Sequence, residues 1–226
     1  KKLNIDFLIF DKPELLMVNK QLDFNENRPP RPVKSPYDFI SNTISEFSIE
    51  NVEFKDASFK YINKNIAKPK VFAVDNLNIA LHDLLIDSVS AKDPTRLFLL
   101  KDVELSLNDY SYTTPDKLYQ VKLNQLGFKA STGELKVKKF CLTPMFGEME
   151  FGKAVGHNVD RFSILMNNIS LEGINLPLYV RKQNLVAQQM SISNGAISVF
   201  NNNRLAMPNR QRRMSSFPHQ LLQKLD

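Results

Sequence analysis

The chain has 226 residues, 42% of them hydrophobic, and a formal net charge of +6, a composition that suits a folded protein rather than a disordered one. Seven Gly exclude collagen-like and Gly-rich β-roll folds. A single cysteine, Cys141, excludes an internal disulfide and leaves the compartment open; in the alternation "VKKFCLT" it reads as a buried spectator.

The sequence begins "KKLNID" without Met, so it reads as a segment cut from a longer protein, and missing targeting signals say nothing about location. No apolar run approaches the roughly 20 residues that a membrane-crossing helix needs. The first predicted element is a strand, "LMVNKQLDF" (16–24), followed by a basic, Pro-containing linker, "NENRPPRPVK" (25–34). "SPYDFISNTISEF" (35–47) predicts a short helix, with Ser35 as N-cap, Pro36 at the first helical position, and Phe39, Ile40 and Ile44 on one face.

Strict alternation of apolar and polar residues then takes over, the mark of half-buried strands. "FSIENVEFKDASFKY" (47–61) slips one residue at Glu50-Asn51 and again at Lys55-Asp56. "VDNLNIALHDLLID" (74–87), "FLLKDVELSLNDYSY" (98–112), "LYQVKLNQLGFKA" (118–130), "GELKVKKFCLT" (133–143) and "RFSILMNNISLEGINLPL" (161–178) alternate with similar slips. The slips predict β-bulges, which return the apolar face inward. Fifteen-residue strands would span roughly 50 Å, far beyond the usual 5–6 residues. Short turns such as "TTPDK" (113–117) and "STG" (131–133) predict antiparallel neighbours. "MFGEMEFGKAVGHN" (145–158), with three Gly, is expected to be a mobile loop.

Near the C-terminal end the first phrase returns. "LVAQQMSISNGAISVF" (185–200) aligns with 47–61 when Asn194-Gly195 is set on Asp56-Ala57. A second basic linker, "NNNRLAMPNRQRR" (201–213), and a second helix start, "SFPHQLLQKLD" (216–226), follow it. Pro36 and Pro218 stand 182 residues apart, an internal repeat. The chain is expected to hold the end of one repeat plus linker (1–34), a main β unit (35–200), and a linker opening the next repeat (201–226). The fold class is all-β and mostly antiparallel: long bulged strands in a curved, groove-like meander sheet with one or two short helices.

Signals for chemistry are poor. His82, His157 and His219 lie far apart, none in a metal spacing, and no GxSxG, P-loop or GxGxxG occurs. No enzyme activity and no cofactor or metal is expected, and carboxylates in "DVELSLND" and "GELKVKKF" read as solvated outer faces. Arg28, Arg31 and Lys34, and Arg204, Arg210, Arg212 and Arg213, form two basic patches that read as solvated linkers or as contacts to anionic headgroups or a partner. Without aromatic interleaving they do not point to nucleic acid.

The apolar strand faces leave two readings open, a closed sandwich core and an open trough that shelters lipid chains. The face in question carries Leu77, Ile79, Leu81, Val103, Leu105, Leu107, Val121, Leu123, Ile164, Met166 and Leu171. An acyl chain of about sixteen carbons needs on the order of 12 kcal/mol of shelter from water, at about 0.8 kcal/mol per CH₂, and an apolar trough supplies it without catalysis.

Residues 36–226, through phrases such as "DYSYTTPDKLY" and "DRF…ISLEGINL", resemble AsmA-like (AsmA/TamB-type) envelope proteins, and among them the large Bacteroidetes members. The resemblance implies a periplasmic segment of an inner-membrane-anchored protein of Gram-negative bacteria. It also implies a long β-groove related to bridge-like lipid transfer proteins, with phospholipid or another envelope lipid as ligand and outer-membrane homeostasis as the role. It brings no catalytic residues. The resemblance also implies an N-terminal membrane helix, which these 226 residues do not include. The alternative from another class is a structural or protein-binding envelope module with a closed core.

Overall fold

Residues 1–22, 35–66, 70–93 and 95–206 are described by a computed structural model of the chain. They form β1 (Lys2–Asp11), β2 (Glu14–Asn19), α1 (Pro36–Ile40), β3 (Glu46–Asn63), β4 (Lys70–Ile86), β5 (Asp102–Thr113), β6 (Tyr119–Lys129), β7 (Glu134–Pro144), α2 (Glu148–Val155), β8 (Asp160–Glu172), α3 (Leu176–Lys182) and β9 (Gln189–Asn201). The strands make one mostly antiparallel sheet in the order β1-β3-β4-β5-β6-β7-β8-β9, with β2 also beside β3.

The slips in the alternation become bends in the backbone. Asp56 in β3, Asp83 in β4, Gln125 in β6, and Asn168 in β8 all take left-handed φ values, between 48° and 52°. Asp and Asn tolerate this region better than most non-Gly residues because a short polar side chain finds local hydrogen bonds. The pairing of β3 with β4 shifts register around Ala57, and the Asp56 N–H donates to Asn78 Oδ1 at 3.0 Å. The bulges let β3 and β4 run for 18 and 17 residues while every apolar beat stays on one face. Asp56→Val, which puts a β-branched side chain at a φ of 49°, is expected to cost about 1–3 kcal/mol, whereas Asp56→Gly should be nearly neutral. Urea unfolding of the two variants checks this; equal costs would mean that the left-handed conformation is not what the position demands.

The N-terminal strands depart from the antiparallel pattern, since β1 and β2 both pair with β3 in parallel. A parallel neighbour requires a crossover rather than a tight turn, and the long stretch between β2 and β3, which includes α1, provides the length. β1 and β2 are one strand interrupted at Lys12-Pro13. Lys12 and the facing Asp56 both have a φ of 49°. The hydrogen bonds from Lys12 N–H to Lys55 O (2.8 Å) and from Ser58 N–H to Pro13 O (2.9 Å) carry the pairing across the break. β1 itself was not expected from its sequence.

Three short helices occur among the described residues. α1 begins at Ser35-Pro36 as expected, with the Ser35 N–H donating to the Asp38 carboxylate at 2.7 Å. It ends at Ile40, so Ile44 lies beyond it. The expected mobile loop at 145–158 is instead α2: Gly147 is its N-cap, and Gly156, at a φ of 87°, is its left-handed C-cap. The expected run of strand to 178 stops at Glu172, and "INLPLYVRK" turns into α3, whose N-cap Asn175 side chain accepts the Leu178 N–H at 2.9 Å. The predicted helix at 216–226 and His219 lie outside the described residues.

The chain divides into two compact units. The first holds Lys1–Asn108, Leu126–Lys136 and Leu171–Met190; the second holds Asp109–Gln125, Val137–Ser170 and the chain from Ser191.

Candidate functional site

In the first unit the apolar beats of β3, β4 and β5 meet in register. Val52 pairs with Leu81 and Leu81 with Val103; Phe54 with Ile79 and Ile79 with Leu105; Ala57 with Leu77 and Leu77 with Leu107. Phe59–Val74 and Tyr61–Phe72 continue the series along β3 and β4. Phe10 of β1 stacks on Phe54, ring centroids 4.8 Å apart. Period 2, reset by the left-handed residues Asp56 in β3 and Asn76 in β4, places all of these on one side of the sheet. Ile49, Val52, Ala57, Val74 and Leu107 are buried. Leu77, Ile79, Leu81, Val103, Leu105 and Leu171 are half-buried, and Phe10 and Phe72 are exposed at 40% and 44%.

The opposite side of the same strands is charged. Glu53, Ala80 and Glu104 sit abreast. Lys55 lies 2.9 Å from Glu53, Lys129 bonds Glu104, and Lys136 lies 2.6 Å from Glu134. These carboxylates and lysines line a depression of about 380 Å³ together with Ala80, Ser106 and Gly127, and Phe54, Ile79, Leu105 and Phe128 of the same strands also contribute to it. The Glu104 hydrogen bond raises the Lys129 pKa. Of the carboxylates in "DVELSLND" and "GELKVKKF", Asp102, Glu104 and Glu134 are thus members of exposed or half-buried ion pairs, and Asp109 accepts a hydrogen bond from the Asn124 amide at 2.7 Å.

Two polar clamps hold the ends of these strands, and neither was legible in the sequence. The Arg96 side chain is 6% exposed, and its guanidinium donates to the carbonyls of Asp83 (2.6 Å) and Leu99 (3.2 Å) while lying 3.5 Å from the Asp83 carboxylate. It thereby fastens the bulge of β4 to the segment before β5. Hydrogen bonding from Lys101 leads the forces that hold Asp83 below its usual pKa. At the start of β5, the Asp102 carboxylate accepts the N–H and O–H of Ser131 at 2.8 and 2.7 Å and the N–H of Val103 at 2.8 Å.

Burial pushes the Asp102 carboxyl up, but the Ser131 and Val103 hydrogen bonds outweigh it and leave the pKa below 3.8. A carboxyl with a depressed folded-state pKa stabilises the fold above its unfolded pKa, and that contribution disappears as pH falls through the folded value. Stability is therefore expected to drop below pH 3.8, and Asp102→Asn should flatten that part of the profile while lowering stability at pH 7. A profile unchanged by Asp102→Asn would remove Asp102 from the account.

The second unit closes its apolar face. Tyr119, Val121, Leu142, Phe151, Phe162 and Ile164 form a buried cluster, with Met166 packed against it. Phe151 of α2 is 1% exposed, and its ring meets that of Tyr119 edge-on at 5.2 Å. The Tyr119 hydroxyl accepts the Phe162 N–H at 3.2 Å, and burial raises its pKa. Val121 and Ile164 therefore share a closed core with Phe151 of α2, and Met166 packs against it; the alternation left open whether these residues line a closed core or an open trough. Leu123 is half-buried beside a second depression that also touches Tyr110, Lys122, Lys139 and Cys141. Cys141 is half-buried rather than fully buried.

His82 Nδ1 lies 2.9 Å from Asn51 Oδ1, between facing strands. Among the described residues no group of three or more His, Cys, Asp or Glu is placed to hold a metal, and no helix is long and apolar enough to cross a membrane. Arg204 is exposed; Arg28, Arg31, Lys34, Arg210, Arg212 and Arg213 lie outside the described residues.

No protein-family model matches the chain, and no curated protein or solved structure matches it.

Proposed function

We propose that the first unit shelters acyl chains on its apolar face, as a non-enzymatic segment of an AsmA-like protein of the cell envelope, with a phospholipid or similar envelope lipid as ligand. One observation carries the reading: rows such as Phe54–Ile79–Leu105 run unbroken across neighbouring strands while Ile79 and Leu105 keep solvent access. Half-exposed apolar side chains in contiguous rows hold a standing cost in water, which a lipid tail would relieve at about 0.8 kcal/mol per CH₂. The periplasm, an inner-membrane anchor and a role in lipid transport for outer-membrane homeostasis belong to this proposal through the sequence resemblance. The second reading, a structural or protein-binding envelope module, draws on the closed core of the second unit around Phe151.

Native mass spectrometry of the chain purified from a Gram-negative host separates them. The lipid reading expects a bound species of phospholipid mass, and a photo-reactive side chain at Ile79 expects a cross-link to an acyl chain. Lipid-free protein together with no cross-link rejects the lipid reading and leaves the structural module.

A further inference from the structure

The polar side of the second unit holds a depression lined by cations without partners. Tyr119, Val121 and Leu142 turn into the buried core, so the pleat turns Lys122 of β6 and Cys141 of β7 to the other side. With Asp109, Ser111, Asn124 and Lys139 they line a depression of about 580 Å³, within the range of roughly 300–1,000 Å³ usual for small-molecule sites. All six residues belong to the second unit.

The charge of this lining is not balanced. On the polar side of the first unit the lysines have carboxylate partners: Lys55 with Glu53, Lys129 with Glu104, Lys136 with Glu134. In the second unit the amides Gln120 and Asn124 flank Lys122 instead, and β6 contains no Asp or Glu. Among the described residues neither Lys122 nor Lys139 enters an ion pair. Like charges on neighbouring strands destabilise one another, so this pair gains from an anion supplied by a ligand. The carboxylate in the lining, Asp109, accepts the Asn124 amide at 2.7 Å and so is already engaged. Ser111 Oγ accepts the Gln120 amide at 3.2 Å, which leaves its own hydrogen to donate to a ligand oxygen.

We propose that Lys122, Lys139 and Ser111 bind the phosphate group of a small phosphate ester in this depression. Lysine meets phosphate oxygens as a point charge, and the serine hydroxyl adds a directed hydrogen bond. The depression has room for the esterified part as well, and the second oxygen of Asp109 suits a hydroxyl or ammonium group on it while disfavouring a second anion. A soluble phosphate ester and a phospholipid headgroup share this chemistry. The site lies on the polar side of the sheet, so the inference does not depend on the acyl-chain reading.

Cys141 is the single cysteine of the chain and lies in the lining, so its alkylation by iodoacetamide reports occupancy. At constant ionic strength, glycerol 3-phosphate is expected to slow alkylation of the full chain several-fold, and glycerol to leave it unchanged. Vesicles of phosphatidylglycerol, compared with vesicles of a phosphate-free glycolipid, form the second arm. Protection by the soluble ester assigns a soluble ligand; protection by phosphatidylglycerol alone assigns a lipid headgroup. Lys122 and Lys139 are exposed, so the double variant Lys122→Gln, Lys139→Gln should melt as the native chain does while losing the protection, and Lys136→Gln should keep it. No protection in either arm, or protection that survives in the double variant, would overturn the proposal. Should the thiol of the free chain prove unreactive, the phosphorus-31 line of glycerol 3-phosphate decides: it broadens with the native chain and not with the double variant, and equal line widths overturn the proposal.

Discussion

Phe151→Ala is expected to destabilise the second unit by about 3–5 kcal/mol. Phe151 is 1% exposed, and its ring fills the space over Tyr119, Val121, Phe162 and Ile164. Truncation removes the transfer energy of the ring and leaves a cavity, and the strands beneath cannot collapse into it because their spacing is set by ladder hydrogen bonds. The Tyr119 hydroxyl, which accepts the Phe162 N–H, would gain access to water, so the Tyr119 pKa should fall back toward 10.0. Chemical denaturation and a spectrophotometric tyrosine titration check the two halves of this result. A loss below about 1 kcal/mol, the range of ordinary surface substitutions, would mean that α2 does not cap this face in solution.

Leu105→Glu carries the second large effect, and it falls on ligand rather than on stability. Leu105 lies beside Ile79, which lies beside Phe54, on the half-buried side of the first unit. A carboxylate at a site with solvent access keeps most of its hydration, so the expected loss is about 1–2 kcal/mol. A lipid tail crossing that row would have to strip the charge of water, so bound lipid and the photo-cross-link from Ile79 should both be lost. Ile164→Glu is the contrast, because Ile164 is 3% exposed in the core of the second unit. There the unpaired charge has no water, and the cost of several kcal/mol is comparable with the whole stability of a domain. Equal collapse of the two variants would show that Leu105 is as enclosed as Ile164 and would favour the structural module.

The difference between Leu105 and Ile164 also marks how far the sequence reaches. "DVELSLND" and "RFSILMN" alternate in the same way, and both became strands with the expected residues on one side. What lies over that side is not written in the alternation, since a half-exposed face and a covered one demand the same period. The cover over Ile164 comes from "EMEFGKAV", and there the local signals were present: Glu148 and Glu150 in the first turn, Lys153 in the last, and Gly at each end. Three glycines suggested a loop; two of them are caps, and Phe151 shows its purpose only where it meets Tyr119.

By itself the sequence determined the strands from β3 onward, most of their bulges and the face that each side chain takes, though not β1 or the end of β8. Side-chain direction along a strand is a local consequence of the pleat, and Asp56, Asp83 and Asn168 mark the left-handed steps with residues that tolerate them. Only the tertiary structure decided the parallel seat of β1–β2 against β3, the Arg96 clamp on Asp83, and the closing of one apolar face by α2. Each of these joins segments distant in the chain, and their partners are chosen by packing and by backbone hydrogen bonds that no local pattern of residue types specifies.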